Sequence, residues 1–253
     1  MHDELTRRRL IALGVGAGGA LLAGCDRIGA TGAAKSTFRA SERLTMGAQR
    51  LITDRAALAP EYGSGDLSPV FRSNGTRMPA SSDYARLMAG DFHDWRLEVS
   101  GLVIQPQMLS LDQLQAMPRR TQTTRHDCVE GWSAIGRWTG VPLRLVLARA
   151  GVRPQARYIV FHCYDEYGGA PYYESIDMID ALHPQTILAW GLNGQRLPIP
   201  NGAPLRLRVE RQLGYKHAKY LRAIKAVQSL DDIGRGGGGT WEDIGDYAWY
   251  AGI

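Results

Sequence analysis

Residues Thr124-Arg125-His126-Asp127-Cys128-Val129-Glu130-Gly131-Trp132-Ser133 place a cysteine in a turn after an extended run, with Gly131 close by. Such a turn presents a sulfur to a pocket, and the neighbouring Arg125 favours the thiolate, the form that ligates metal. A solitary cysteine is as readily a small buried hydrophobe, so this stretch alone leaves both readings open. A second stretch bears on the choice: Pro200-Asn201-Gly202-Ala203-Pro204-Leu205-Arg206, then Leu213-Gly214-Tyr215-Lys216-His217-Ala218-Lys219. Turn residues alternate there with cations, and backbone N–H groups in such turns, together with Arg and Lys, hold a phosphate or another anion. The alternative is a hairpin whose basic residues face water.

Outward from these stretches the chain alternates short strands and short helices. Trp95, Leu97 and Val99 alternate with Arg96 and Glu98, which predicts a half-buried strand ending at Gly101. Ser110-Leu111-Asp112-Gln113 reads as a capping box, and a second helix starts at Pro142 and closes at Gly151. Tyr158 to Cys163 is a strand-type apolar run, and Ser175 is expected to cap a brief helix through Leu182. Asn193-Gly194 is a hairpin signal. Leu205, Leu207 and Val209 alternate with Arg206, Arg208 and Glu210, a strand with one polar face that residues 219–228 are expected to pair. With no regular βαβ beat and no internal repeat, the pattern predicts one α+β domain.

The chain has 253 residues, 44 % of them hydrophobic, enough for a real core. A net charge of +5 is too weak and scattered to argue nucleic-acid binding. Three cysteines make neither a disulfide scaffold nor a four-cysteine metal site. At the start, Arg7-Arg8-Arg9 precedes an uncharged apolar run from Leu10 to Ala23. As a helix that run spans only about 21 Å, short of a bilayer core of about 30 Å, so it reads as a signal and not as a span. Paired arginines before such a run are similar to a twin-arginine signal, and Leu22-Ala23-Gly24-Cys25 looks like a lipobox that makes Cys25 a lipidation site. The G-x-G-x-x-G of Gly14 to Gly19 lies inside this signal and lacks the strand and acidic residue of a dinucleotide site.

Cys-Val-Glu-Gly-Trp-Ser from Cys128, Asn-Gly-Ala-Pro-Leu-Arg-Leu from Asn201 and Leu-Gly-Tyr-Lys-x-x-Lys from Leu213 together resemble the molybdopterin domain of the sulfite oxidase family. Within it the nearer likeness is to periplasmic methionine-sulfoxide reductase catalytic subunits, and Pro171 to Ser175 and Ala181 to Pro184 continue it. The resemblance implies that Cys128 is the thiolate ligand of molybdenum. It places Asn74, Arg77, Asn201 and Arg206 on the pterin, and His217, Ala218 and Lys219 at the anionic end of the cofactor. Cys163 stands where reductase-like relatives carry a threonine that touches the cofactor. A Cys128–Cys163 disulfide is the competing arrangement, since an exported protein often pairs two remaining cysteines. Sulfite-oxidising members carry an arginine shortly after the ligand cysteine; Trp132 and Ser133 occupy that region here. His126, His162 and His183 have no metal-ligand spacing.

The expected organisation is a twin-arginine lipoprotein signal (1–24), a tether or N-terminal arm (25–60), a molybdopterin-binding domain (61–230) and a Gly-rich joint with an aromatic tail (231–253). The tail either folds over the pocket mouth or packs on the exterior. No dimerisation domain like that of the larger members is expected after residue 230. With no C-x-x-C-H motif, c-type haem is not expected, so the resemblance implies an external electron partner, a membrane or periplasmic cytochrome or a quinone-linked protein. The function it implies is two-electron oxygen-atom transfer with a molybdenum–molybdopterin cofactor, acting on a small-molecule or protein-bound sulfoxide- or N-oxide-type substrate at the periplasmic side of the inner membrane. A non-catalytic pterin-binding lipoprotein and a sulfite dehydrogenase are the alternatives.

Overall fold

A computed structural model describes residues 32–253; the expected signal and Cys25 lie outside the described residues. The described residues divide into two units, 32–52 and 53–253. In the first, part of the stretch expected as a tether or N-terminal arm (25–60) forms a helix, α1 (Gly32–Ile52). Its sequence lacks proline and is rich in Ala, Arg, Leu, Met, Glu and Gln, which favour a helix, and its apolar residues gather on one side. Among the described residues no helix is long and apolar enough to cross a membrane.

The second unit is a mixed α+β fold with two sheets and short helices. One sheet contains β1 (Arg96–Gly101) and β2 (Gln107–Ser110), and the other contains β3 (Arg120–Cys128) and β4 (Trp132–Pro142). The first sheet adds β5 (Tyr158–Tyr167) and β6 (Ala170–Asp177), while β7 (Ile187–Leu192), β8 (Gln195–Arg196) and β9 (Arg206–Arg208) join the second. The last strand, β10 (Leu221–Val227), returns to the first sheet, giving the order β2-β1-β10-β5-β6 against β3-β4-β7-β8, with β9 on β7. Only the β1–β10 pair of the first sheet is parallel.

Local signals read from the sequence form as expected. Trp95, Leu97 and Val99 are fully buried, the Ser110 capping box closes with Gln113, and helix Leu143–Ala150 ends at a left-handed Gly151. Asn193 and Gly194 both take positive φ in the β7–β8 hairpin, the backbone a two-residue primed turn needs. The main core lies between the sheets, where Leu97, Val99, Ile159, Phe161 and Ile224 meet Leu143 and Leu147. Burying each such side chain contributes about 1.5–3 kcal/mol.

Three expectations fail, each for a tertiary reason. Ser175 does not cap a helix: it lies in β6, and Asp177 caps the helix Met178–Leu182 by accepting from the Asp180 N–H. Strand β9 pairs with β7, not with residues 219–228, although Leu221 and Leu205 share one backbone bond of 3.0 Å. Its polar face is not solvated either, because Arg206, Arg208 and Glu210 are all buried. Finally, residues 236–239 are no loose joint. Gly237 N–H donates to Asp243 Oδ1 (2.8 Å), and the Gly238 carbonyl accepts from Ser175 Oγ.

Candidate active site

The β3–β4 hairpin carries Cys128 to its tip. Cys128 pairs with Trp132 across the ladder, and the turn between them closes through Gly131, whose φ of 83° suits glycine. The Gly131 N–H donates to the Cys128 carbonyl at 3.0 Å. The thiol pKa is raised, mainly by burial, against the opposing backbone N–H groups of Glu130 and Val129. Arg125 does not supply the expected help: it is exposed and pairs with Asp127 (Nε–Oδ2 3.0 Å). Cys128 and Cys163 are both free, so the disulfide alternative is not formed.

Cys128 opens into a cleft that encloses about 740 Å³ including its mouth. Asn74, His217 and Lys219 of the expected cofactor set share that wall. Lys219 Nζ donates to the carbonyls of Asn74 (2.6 Å), Pro200 (3.1 Å) and Thr76, tying three chain segments together. Burial, with Arg206 nearby, pushes its pKa down to about 7. Asn201, Arg206 and Ala218 lie in the layer behind this wall and are buried. Arg206 donates to the carbonyls of Asn201 (2.9 Å) and His217 (3.2 Å). Two of the expected residues stand apart. Arg77 is exposed and off the wall. Cys163 sits in the main core, opposite Leu221 in the β5–β10 ladder.

A short list of buried polar atoms lacks partners, and its chemistry describes a ligand. Asn201 Nδ2 and Arg206 Nε are donors without acceptors. His217 Nε2 faces the Gln212 carbonyl at 2.9 Å, which makes Nδ1 an acceptor, and that atom is also unpartnered. Asp165 Oδ1 is unpartnered too. Arg206 keeps its charge in a fully buried site with carbonyl acceptors alone, its pKa pushed down to about 9 by burial and by Arg208. A pterin phosphate offers what this set lacks, an anion for the cations and ring N–H groups for the acceptors. Two glycines let the segments behind the wall pack closely: a Cβ on Gly214 would come within 2.6 Å of His126 Nε2, and one on Gly202 within 2.9 Å of Lys219 Cβ. Among the described residues no three His, Cys, Asp or Glu side chains converge as a metal site. A metal at Cys128 would therefore take its remaining ligands from the cofactor or solvent.

Several site residues escaped the sequence. Asp165 lines the cleft with its carboxyl pushed up to about 6 by burial, against Lys219 and a hydrogen bond from Thr76. Its only signal is its place two residues after Cys163. The aromatic tail takes both places open to it. Trp241 and Tyr247 line the cleft, while Trp249 packs on Tyr158 with ring centroids 5.4 Å apart. Lys216 corrects the reading of its stretch as anion-holding throughout, since it is fully buried between Glu242 (2.6 Å) and Glu174. His126 is a buried structural group. Burial, then Arg208, drives its pKa well down, and it accepts from Arg208 Nη1 at 2.8 Å.

The oxidoreductase molybdopterin binding domain family matches residues 85–232. Over 97 % of its length the chain is 40 % identical to the putative protein-methionine-sulfoxide reductase subunit YedZ1 of Azospira oryzae, of which it covers 87 %. It is 35 % identical over 63 % of its length to the protein-methionine-sulfoxide reductase catalytic subunit MsrP of Xanthomonas campestris, and spans about half (52 %) of that protein. Among solved structures, the sulfane dehydrogenase SoxCD from Paracoccus pantotrophus aligns with a TM-score of 0.50 and 26 % identity, over 54 % of this chain and 39 % of that one.

Proposed function

Because the chain belongs to the oxidoreductase molybdopterin binding domain family, and so is a molybdopterin-dependent oxidoreductase, we propose that it is exported and reduces a sulfoxide- or N-oxide-type substrate by two-electron oxygen-atom transfer. The observation that carries this reading is the cleft that joins one soft thiol, Cys128, to Lys219 on its wall, with Arg206 behind that wall and only backbone carbonyls accepting from either cation. The net reaction takes one oxide, two electrons and two protons to the reduced substrate and water. When bound, the molybdenum–pterin group supplies the two electrons and accepts the oxygen atom.

The chain's own residues supply the rest. Cys128 Sγ is the protein ligand of the metal. Asn74, Asn201, His217 and Lys219 hold the pterin, Arg206 balances its phosphate from behind, and the Ala218 backbone sits between the two basic positions. Asp165, its pKa pushed up to about 6 by burial in the same cleft, takes up and releases a proton beside the reacting centre. The domain of residues 61–230 would carry this chemistry, with Cys25 lipidated after twin-arginine export and the enzyme held at the periplasmic side of the inner membrane. Electrons would come from a cytochrome or quinone-linked protein there, without a haem in this chain.

Protein from a molybdenum-sufficient host should hold about one molybdenum per chain and oxidise a reduced dye with sulfoxides or N-oxides. Cys128→Ser should cut that turnover about 10³-fold or more, some 4 kcal/mol of barrier, with the circular dichroism spectrum unchanged. Full activity in that variant would end the ligand assignment. Consistent absence of molybdenum would favour a non-catalytic pterin-binding module. Sulfite-dependent reduction of an artificial acceptor would favour a dehydrogenase, against which the lack of an arginine between Val129 and Ser133 speaks.

A further inference from the structure

The cleft has a second wall that the cofactor-facing residues do not build. Tyr167, Trp241 and Tyr247 all line it. Tyr167 and Trp241 ring centroids are 4.4 Å apart, Trp241 and Tyr247 are stacked at 5.6 Å, and Tyr215 meets Tyr247 edge-on at 5.0 Å. Trp241 and Tyr247 follow residue 232, where the family match ends. The wall therefore joins Tyr167, inside the matched stretch, to two rings of the C-terminal tail.

It is also held rigidly. Glu242, the neighbour of Trp241, is ion-paired to buried Lys216 at 2.6 Å, and Lys216 belongs to the same loop as His217 and Lys219. Tyr215 OH donates to the Ala248 carbonyl at 2.6 Å, and Leu213 N–H donates to Ala251 at 2.9 Å. Asp243 accepts from Tyr173 OH at 2.5 Å and from Gly237 N–H at 2.8 Å. The tail that carries Trp241 and Tyr247 is thus tied to the domain, with those two rings partly buried and Tyr167 exposed. Two carboxyl groups, Glu130 and Asp165, line the same cleft together with Lys219.

From this juxtaposition we infer that Tyr167, Trp241 and Tyr247 form a substrate subsite for the methylated, positively polarised heteroatom of a small oxide. The inference rests on the function proposed above and gives that site its substrate class. A sulfoxide or amine N-oxide is a dipole, with positive sulfur or nitrogen bearing the methyl groups and negative oxygen at the other end. Aromatic faces attract the positive, polarisable end by cation–π and sulfur–aromatic contacts. The oxygen is then left to face the Cys128 side of the cleft. An oxyanion such as sulfite has no methylated pole for these rings.

The test uses the molybdenum-loaded enzyme with dimethyl sulfoxide and trimethylamine N-oxide as separate arms, normalised per molybdenum. Trp241→Leu should raise KM about tenfold for at least one of them with a smaller effect on kcat, and Trp241→Phe, which keeps a ring, should recover most of the loss. The arm that responds identifies sulfur or nitrogen as the recognised atom. As a readout without turnover, tryptophan emission should change saturably on titration with dimethyl sulfone, and Tyr247→Leu should weaken that titration severalfold. Unchanged KM for both oxides in Trp241→Leu, with the wild-type enzyme active, overturns the subsite alone. Failure of the fully loaded wild type to reduce any oxide overturns both the subsite and the function it rests on.

Discussion

Arg206 and Arg208 are two residues apart on one strand, both fully buried against Trp138, with guanidinium-to-ring distances of 5.0 and 4.4 Å. Their surroundings differ in kind. Arg208 holds Glu210 through two bonds, Nε–Oε1 at 2.9 Å and Nη2–Oε2 at 2.5 Å, and donates to His126. Arg206 has only the carbonyls of Asn201 and His217 and keeps Nε unpartnered. A buried charge with its counter-ion built in belongs to the scaffold. One without a counter-ion leaves room for an anionic ligand, because burying it uncompensated costs several kcal/mol. Lys216, between Glu174 and Glu242, falls with Arg208; Lys219, on carbonyls alone, falls with Arg206.

That difference predicts opposite mutational behaviour. The largest effect is expected on the scaffold side. Glu210→Ala leaves Arg208 buried without its anion and should lower stability by about 3–5 kcal/mol, read from the urea unfolding midpoint of the cofactor-free protein. A midpoint within experimental error of wild type would erase the distinction. On the ligand side, Asp165→Asn should lower kcat about 100-fold. The pH dependence follows from the raised pKa of this acid: its carboxyl is protonated below about 6 and loses the proton above. Wild-type turnover should therefore fall as pH rises through about 6, and the variant should lose that limb. A retained limb would assign it to another group. The smallest stability effect is expected at Arg206→Met, which removes an uncompensated buried charge while keeping its bulk. The cofactor-free melting temperature should stay level or rise, while molybdenum retained through gel filtration falls about tenfold, a loss of about 1.4 kcal/mol of binding. Marked destabilisation of the cofactor-free protein would place Arg206 with the scaffold instead.

Local signals were legible where one short stretch carries its own physics. The Ser110–Gln113 box, the Asn193–Gly194 turn and the alternation through Val99 need only neighbours in the chain. Candidate residues were legible where they fall inside spaced motifs: Cys128 and Lys219 line the cleft, and Asn201 is buried close behind it. Cys163 and Asp165 show the limit. They lie two apart on β5, yet one enters the core and the other the cleft, and a register irregularity lies between His162 and Glu166 on the pairing with β6. Ser175 was misread because its hydroxyl serves partners more than sixty residues away, the Gly238 carbonyl and the Trp249 indole.

Taken alone, the amino-acid sequence determined the α+β class, the turn that presents Cys128 and the order of the motifs, since short stretches carry each of these signals; that the turn closes a long hairpin came from the structure. Which cations keep their charge unmatched, and which rings close the cleft, only the tertiary structure decided. Charge compensation is a property of what lies within a few ångströms in space, and the partners that matter to Arg208, Lys216 and Trp241 come from other parts of the chain.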